Sequence, residues 1–277
     1  MLDRTIAYGL DFMFPIRDQA IGANLALFGE FARPIIDFLL DHAASDTGRL
    51  IDAGANIGSI SIPFACMRRQ WGVTAIEPHR GLSSLLAANA LNNRLTNIDV
   101  VQAAVGASRG IVDFPSVSLD TARNFGTLSL ADPGPVTTPT LMLTLDDLEP
   151  EGVRLVKIDV EGHDADALRG APRLLHNVRP IWFVEAAINQ YPQTSRDVIQ
   201  TLLEADYNLY WFFAPWTSSH GLKGRRPKEI GTGDPNIVAL PRGAENRWGL
   251  PPVIDADTPY PGGTENYPYM ARYWPGL

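Results

Sequence analysis

The stretch Leu50-Ile51-Asp52-Ala53-Gly54-Ala55-Asn56-Ile57-Gly58 constrains the fold more than any other part of this chain. A short apolar run delivers a carboxylate, and a glycine-rich turn follows at once. Such a pattern reads as a buried strand that turns into a helix. Glycines let the backbone approach a ligand closely, and a helix start offers unpaired amides. A dinucleotide-binding turn would read G-x-G-x-x-G and seat a pyrophosphate on those amides. Here the spacing is Gly54-x-x-x-Gly58, with Asp52 directly ahead of it. A carboxylate there repels a pyrophosphate and favours a cationic amino-acid group. S-adenosylmethionine has that character, because its methionine end carries an ammonium. Glycine turns after strands also serve packing alone, so the motif needs company.

The company is an alternation of strands and helices. Buried strands are expected at 49–53, 73–76, 98–101, 153–158 and 181–184, with helical stretches at 58–69, 81–93 and 165–175 between them. Pro63 falls inside the first helical stretch and should kink or restart it. Alternation of this kind implies a parallel sheet covered by helices on both faces. An insertion at 102–152, rich in Ser, Thr, Gly and Pro, interrupts the order and carries strand patterns at 110–114 and 141–145. Two more strands are expected at 207–214 and 236–240. Residues 1–48 read as a mainly helical cap with Phe31, Ile35, Phe38 and Leu39 on one packing stripe, and 242–277 as an irregular Pro/Gly/aromatic extension.

Composition narrows the function classes. The 277 residues carry a formal charge of −8, which argues against a protein that tracks duplex nucleic acid or an anionic membrane. One cysteine, Cys66, excludes an internal disulfide framework and a cysteine-rich zinc site. The first residues include Asp3 and Arg4 with no basic start leading into an apolar run, so no signal peptide is expected. Apolar segments such as 34–40 fall short of the roughly 20 residues a membrane span requires. A soluble, cytoplasmic protein is the expectation, with a homo-oligomer left open.

Acidic residues recur at the ends of the expected strands. Glu77 closes the second strand, where a carboxylate can accept hydrogen bonds from both ribose hydroxyls of a nucleoside. Asp159 follows the fourth strand in Lys157-Ile158-Asp159-Val160-Glu161-Gly162-His163-Asp164, and Glu185 closes the fifth. Ligands of open α/β sheets sit outside the carboxyl ends of the strands, so Asp52, Glu77, Asp159 and Glu185 should share one rim. Clustered carboxylates there can raise one pKa, host a divalent ion or flank a sulfonium. Lys157 reads equally as a residue paired near the sheet, and His163 as a helix-start residue with no role.

Taken together, IDAGANIG, AIEPH, the Thr144–Leu148 segment TLDDL, LVKIDVEG and the Arg179–Glu185 segment RPIWFVE resemble the FkbM family of S-adenosylmethionine-dependent methyltransferases. The likeness runs from roughly Ala23 to Pro241 and takes in Gly29-Glu30 and the Asn124-Phe125-Gly126-Thr127-Leu128-Ser129-Leu130 segment. It implies a Rossmann-like class I fold over 49–241: a seven-stranded, mostly parallel sheet with helices on both faces and its last strand antiparallel. It also implies O-methylation of a hydroxyl on a sugar, polyketide or other natural-product small molecule. The cofactor set it suggests is Glu30, Asp52, Gly54, Asn56, Gly58, Glu77, Gln102, Ala103, Asn124 and Asp159. Two departures are Pro63 in the cofactor helix and Asp164 where a glutamate is common.

A weakly nucleophilic hydroxyl needs its proton accepted as the bond forms. The candidate bases are Asp159, His163 and Glu185. A magnesium held by Asp159, Glu161 and Glu185 is the second route. The rival functions are a nicotinamide-dependent oxidoreductase and a non-catalytic S-adenosylmethionine-binding protein. The 215–235 loop, with Trp216 and a basic cluster, and the tail, with Tyr260 and Trp274, are expected either to cover the acceptor site or to form an ordinary loop and a packed tail.

Overall fold

A computed structural model describes residues 1–43, 47–131, 134–229 and 231–275. The chain opens on a hairpin, β1 (Leu2–Ala7) and β2 (Leu10–Pro15), where the sequence had suggested helix. Tyr8 and Gly9 turn it with φ of 53° and 75°, the positive pair that a two-residue type I′ loop requires. Helices α1 (Ile21–Phe28) and α2 (Arg33–His42) follow, and only there does the expected helical cap begin.

The core then runs β3 (Arg49–Ala53), α3 (Ser61–Met67), β4 (Gly72–Ile76), α4 (Arg80–Asn92) and β5 (Ile98–Val101). Helix α3 starts late, at Ser61, which leaves Pro63 in the first turn where its missing N–H has no intrahelical partner to lose. Two asparagines one turn apart, Asn89 in α4 and Asn93 capping its C-terminus, stabilise the free edge of the hairpin. Asn89 Oδ1 accepts the Met13 amide at 2.7 Å and Asn93 Oδ1 the Asp11 amide at 2.9 Å. Their Nδ2 groups donate to the carbonyls of the same two residues. The helix thus acts as a third strand for the hairpin.

The insertion folds as its own three-stranded sheet of β6 (Ala104–Val105), β7 (Gly110–Pro115) and β8 (Thr137–Leu143), with β8 in the middle. A short 3-10 turn, Phe125–Thr127, hangs from it and buries Phe125. The second half of the core comprises β9 (Val153–Ile158), α5 (Asp164–Arg169), β10 (Ile181–Glu185), α6 (Pro192–Glu204), β11 (Tyr207–Pro215) and β12 (Gly233–Pro241). The helix expected over 165–175 stops at Gly170, ahead of Pro172, and a separate helical turn covers Leu174–Val178.

The main sheet has the order β5-β4-β3-β9-β10-β12-β11, completed by β13 (Pro252–Val253) at the edge. The pairs β4–β5, β3–β4, β3–β9 and β9–β10 are parallel, whereas β12 runs antiparallel to both its neighbours. Seven strands therefore follow the expected class I plan, and the eighth comes from the C-terminal extension. That extension covers an edge and a face. Tyr269 Oη takes the Phe213 amide at 2.9 Å and donates to the Phe213 carbonyl at 2.6 Å, so one side chain pairs both backbone groups of an edge-strand residue. Trp248, Tyr267, Tyr269, Tyr273 and Trp274 are all buried there. Among the described residues no helix is long and apolar enough to cross a membrane.

Candidate functional site

Parallel strands end together, so the acidic residues that close them meet on one rim. The cleft above that rim is lined by Asp52 near the end of β3 and Gly54 after it, Glu77 after β4, Asp159 and Glu161 after β9, and Glu185 at the end of β10. The antiparallel β12 enters the same rim at its beginning and adds Asp234 and Asn236. Asn56, Ala103, Asn124 and His163 complete the expected residues found in the wall.

The β3 end is closely fastened. Gly54, at φ 82°, has no room for a side chain, because a Cβ would lie 1.7 Å from the Asp159 carbonyl oxygen. The turn amides are largely occupied: Gly54 and Ala55 both donate to the Ile76 carbonyl at 2.9 Å, and Asn56 donates to Glu77 Oε2 at 3.0 Å. Glu77 also accepts the His79 amide, at 2.8 Å through Oε1. Burial lifts its pKa to about 7 against the pull of those two amides, helped by the charges of Asp159 and Asp52. Each oxygen keeps further lone-pair capacity for a ligand hydroxyl.

Asp52 is fully buried and already holds a cation. Lys157 Nζ lies 3.2 Å from Asp52 Oδ1 and 3.2 Å from Asp159 Oδ2, and Ser61 Oγ donates to Asp52 Oδ2. Burial alone would lower the Lys157 pKa, but the flanking carboxylates of Asp159 and Asp52 outweigh it and hold the ammonium above its ordinary value. The Asp52 charge that the sequence offered to a ligand is thus balanced from within the protein.

The other end is different. One carboxylate oxygen from each of Asp159, Glu161 and Glu185 lies within 4.8 Å of the others. Burial, then repulsion from Asp159, raises Glu161 to about 9 and Glu185 well above the usual carboxylate range. Asp234 rises to about 6 for the same reasons, although Trp216 Nε1 donates to it at 2.6 Å. Glu185 Oε2 and His163 Nε2 are buried without a hydrogen-bond partner, while His163 Nδ1 sits 3.5 Å from Asp166 Oδ2. The turn that presents Glu161 has left-handed backbone at φ 51° and is held from three sides. Ser129 Oγ donates to the Glu161 carbonyl, Thr194 Oγ1 donates to the Gly162 carbonyl at 3.2 Å, and the Tyr191 ring closes over Gly162. Asp164, the departure from the family pattern, has a structural task. It accepts the Val160 amide at 3.1 Å and the Gly162 amide at 3.2 Å, and burial raises it to about 6.

Three expected cofactor residues do not line the cleft. Gly58 faces the helices, where a Cβ would meet Ile62 and Leu86 at 2.5 Å. Gln102 points to solvent, and Glu30 is wholly buried behind the wall. Sequence reasoning missed Asp234, Asn236 and Gln190. The first two were recoverable, since the first residues of an antiparallel last strand must lie on the rim where the parallel strands end. Of the residues expected to cover the acceptor site, Trp216 lines the cleft, and Tyr260 and Trp274 do not. Lys223 of the basic loop donates to the carbonyls of Leu25 and Ala26 and to Thr5 Oγ1, which places its charge at the C-terminal end of α1.

The profile of the Methyltransferase FkbM domain matches residues 52–209, more than half of the chain. No curated protein matches it. Among solved structures, methyltransferase FkbM from Methylobacillus flagellatus aligns with a TM-score of 0.46 at 19% identity, over 70% of this chain and 44% of that one. The chain thus spans less than half the length of that protein. Precorrin-6y C5,15-methyltransferase from Geobacter metallireducens gives a TM-score of 0.49 at 14% identity, covering 75% and 88% of the two chains. Magnesium protoporphyrin IX methyltransferase from Synechocystis, solved with bound S-adenosylmethionine, gives 0.42 at 11% identity, covering 76% and 77%. With the profile match resting on the same Asp52-to-β11 core that builds the cleft, the chain belongs to the FkbM family of methyltransferases.

Proposed function

We propose that this protein is an S-adenosylmethionine-dependent O-methyltransferase acting on a hydroxyl of a sugar-like, polyketide-like or other small natural product. The observation that carries the reading is one cleft with two unlike ends: a buried Glu77 held by two backbone amides at one, and an unbalanced set of carboxylates at the other. The residues fit the cofactor. Glu77 would take the ribose hydroxyls, Ala103 and Asn124 would flank the nucleoside, and the acidic rim suits a cationic ligand. When bound, S-adenosylmethionine supplies a methyl group on a positively charged sulfur.

Asp159 Oδ2 is already engaged by Lys157 Nζ. Glu185 is the better base: its Oε2 is buried and unpartnered, and repulsion from Asp159 and Glu161 adds to burial in favouring the protonated form. His163, turned by Asp166, is the alternative acceptor on the same wall. Holding the acceptor oxygen in line with the methyl group supplies most of the remaining acceleration. The close approach of Asp159, Glu161 and Glu185 also favours a second reading, in which they hold magnesium through oxygen ligands and the metal lowers the acceptor's pKa.

Incubation with methyl-labelled S-adenosylmethionine and a small-molecule extract should yield a labelled product heavier by one methylene. A non-catalytic binding protein would give no product, and a nicotinamide oxidoreductase would give one without label. Turnover is expected to survive EDTA and to rise with pH through one ionisation. Loss with EDTA and recovery with magnesium would assign the cluster to the metal instead.

A further inference from the structure

Glu30 is completely buried, yet it does not line the cleft, whose wall takes in the following Phe31 and Ala32. Its Oε1 accepts the Ser218 amide, and its Oε2 has no hydrogen-bond partner, with Arg33 Nη1 3.9 Å away. The short segment around it, from Gly29 to Ala32, is bound to several distant parts of the chain. Tyr8 Oη accepts the Phe31 amide and donates to the Phe31 carbonyl, both at 2.8 Å. The Ala32 amide donates to the Trp216 carbonyl at 2.8 Å, and the Lys223 amide to the Phe28 carbonyl at 3.0 Å. Ala32 itself has left-handed backbone, at φ 48°. A non-glycine residue keeps such a conformation only where its surroundings over-determine it.

We propose that Glu30 is a positioning residue: its carboxyl group fixes the 216–218 turn, and through Trp216 it sets Asp234 against the acceptor end of the cleft. The link is continuous. Glu30 holds Ser218, Ala32 two residues on holds the Trp216 carbonyl, and the Trp216 indole holds Asp234 at 2.6 Å. Phe31 packs its ring 6.0 Å from that of Trp216, so the same segment forms the wall beside the indole. The role at the acceptor end rests on the function proposed above, but the positional link does not. This reading also departs from what the family resemblance implied for Glu30, which was contact with the cofactor.

The test uses the full chain, labelled with nitrogen-15 and saturated with S-adenosylhomocysteine. The indole N–H resonance of Trp216, one of six tryptophans, is assigned from its loss in Trp216→Phe. In Glu30→Ala that resonance should move toward the position of an unbonded indole and exchange faster with solvent, while calorimetry shows the product affinity unchanged. Glu30→Gln, which keeps a carbonyl oxygen for the Ser218 amide, should restore it. An unmoved Trp216 resonance together with a tenfold or greater loss of S-adenosylhomocysteine affinity would overturn the proposal in favour of a cofactor contact. Failure of the glutamine variant to rescue would equally overturn it. Should Glu30→Ala not fold, Ser218→Pro removes the donor and leaves Glu30 in place; it must reproduce the Trp216 shift, and an unmoved resonance again refutes the link. Failure of the methyltransferase reading would appear separately, as absence of labelled product with the Trp216 results unchanged.

Discussion

The two ends of the cleft are built from the same residue types and behave in opposite ways. At the β3 end, Asp52 has Lys157 and Ser61, Glu77 has two backbone amides, and the turn is closed by the Ile76 carbonyl. At the β10–β12 end, Glu161, Glu185 and Asp234 repel one another, with Trp216 as the donor to Asp234 and Lys157 paired to Asp159 instead. A balanced end is preorganised before any ligand arrives. An unbalanced end carries a cost that a proton, a metal ion or a cationic ligand relieves. On the function proposed above, the difference divides the cleft into a part that holds and a part that reacts.

The sharpest way to break this contrast is to remove the cation from the balanced end. Lys157→Met leaves Asp52 buried and uncompensated, a change that costs about 3–5 kcal/mol when one partner of a buried pair is lost. Chemical denaturation should show that loss in full, with S-adenosylhomocysteine binding weakened as the β3 and β9 ends relax. Stability within about 1 kcal/mol of the parent would mean that Asp52 takes up a proton instead of remaining charged.

The carboxyl groups raised by burial along the whole cleft predict an unusual pH profile for the ligand-free protein. Glu77, Glu161, Asp164 and Asp234 hold protons in the folded state to about 7, 9, 6 and 6, above their ordinary values of 4.5, 4.5, 3.8 and 3.8. Between those ordinary values and the raised ones the folded state binds more protons than the unfolded state. Stability contributed by the neutral forms is therefore complete below about pH 4 and is lost as pH rises toward 9. Acids held low, such as Asp197 and Asp257 beside arginines, act in the opposite sense, but only in the acid range. The unfolding free energy measured in urea should therefore be lower at pH 8 than at pH 5. A stability that rises over that interval would show that these carboxylates stay charged and are compensated in the free protein.

Glu77 tests the holding part alone. Glu77→Ala removes charge-assisted acceptors of about 1.5–3 kcal/mol each, so S-adenosylhomocysteine should bind at least about tenfold more weakly. Unchanged affinity by calorimetry would separate Glu77 from the nucleoside.

Much of the holding part was legible in the sequence, because it is local. Asp52 and Gly54 stand in one unbroken run, and Glu77 ends the next strand. Asp159 and Glu185 follow from the rule that parallel strands end on one rim. What stayed hidden depends on distant partners. Strands β1 and β2 mix Asp3, Arg4 and Asp11 among their apolar residues, and β2 is secured by Asn89 and Asn93, some eighty positions away, which read locally as nothing more than the end of a helix. Lys157 looked like any lysine near a strand end until β3 lay beside β9. Asp234 was lost because the last strand was taken to begin at Asn236, whereas pairing with β11 extends it back to Gly233. Gly58, read as part of a binding motif, also has a packing reason: a Cβ there would meet Ile62 of α3 and Leu86 of α4.

The smallest effect carries the finest distinction. Asp234→Asn removes one negative charge from the reacting end and keeps an oxygen that can accept the Trp216 indole N–H. Lys157→Met makes the cleft more negative by one unit and Asp234→Asn less negative by one, so the two should shift stability in opposite directions. Relief of repulsion in a partly solvated cluster is worth roughly 1 kcal/mol or less, and the variant should be as stable as the parent at pH 5 and slightly more stable at pH 8. Asp234 is also among the charges that raise Glu185. If Glu185 accepts the proton, the ascending limb of the rate profile should move to lower pH in Asp234→Asn, by a fraction of a unit, because the carboxylate form of the base is then easier to reach. If magnesium occupies the cluster, its charge dominates the local field and the limb should stay in place while the magnesium requirement changes. A limb that moves to higher pH would fit neither route and would separate Asp234 from the reaction.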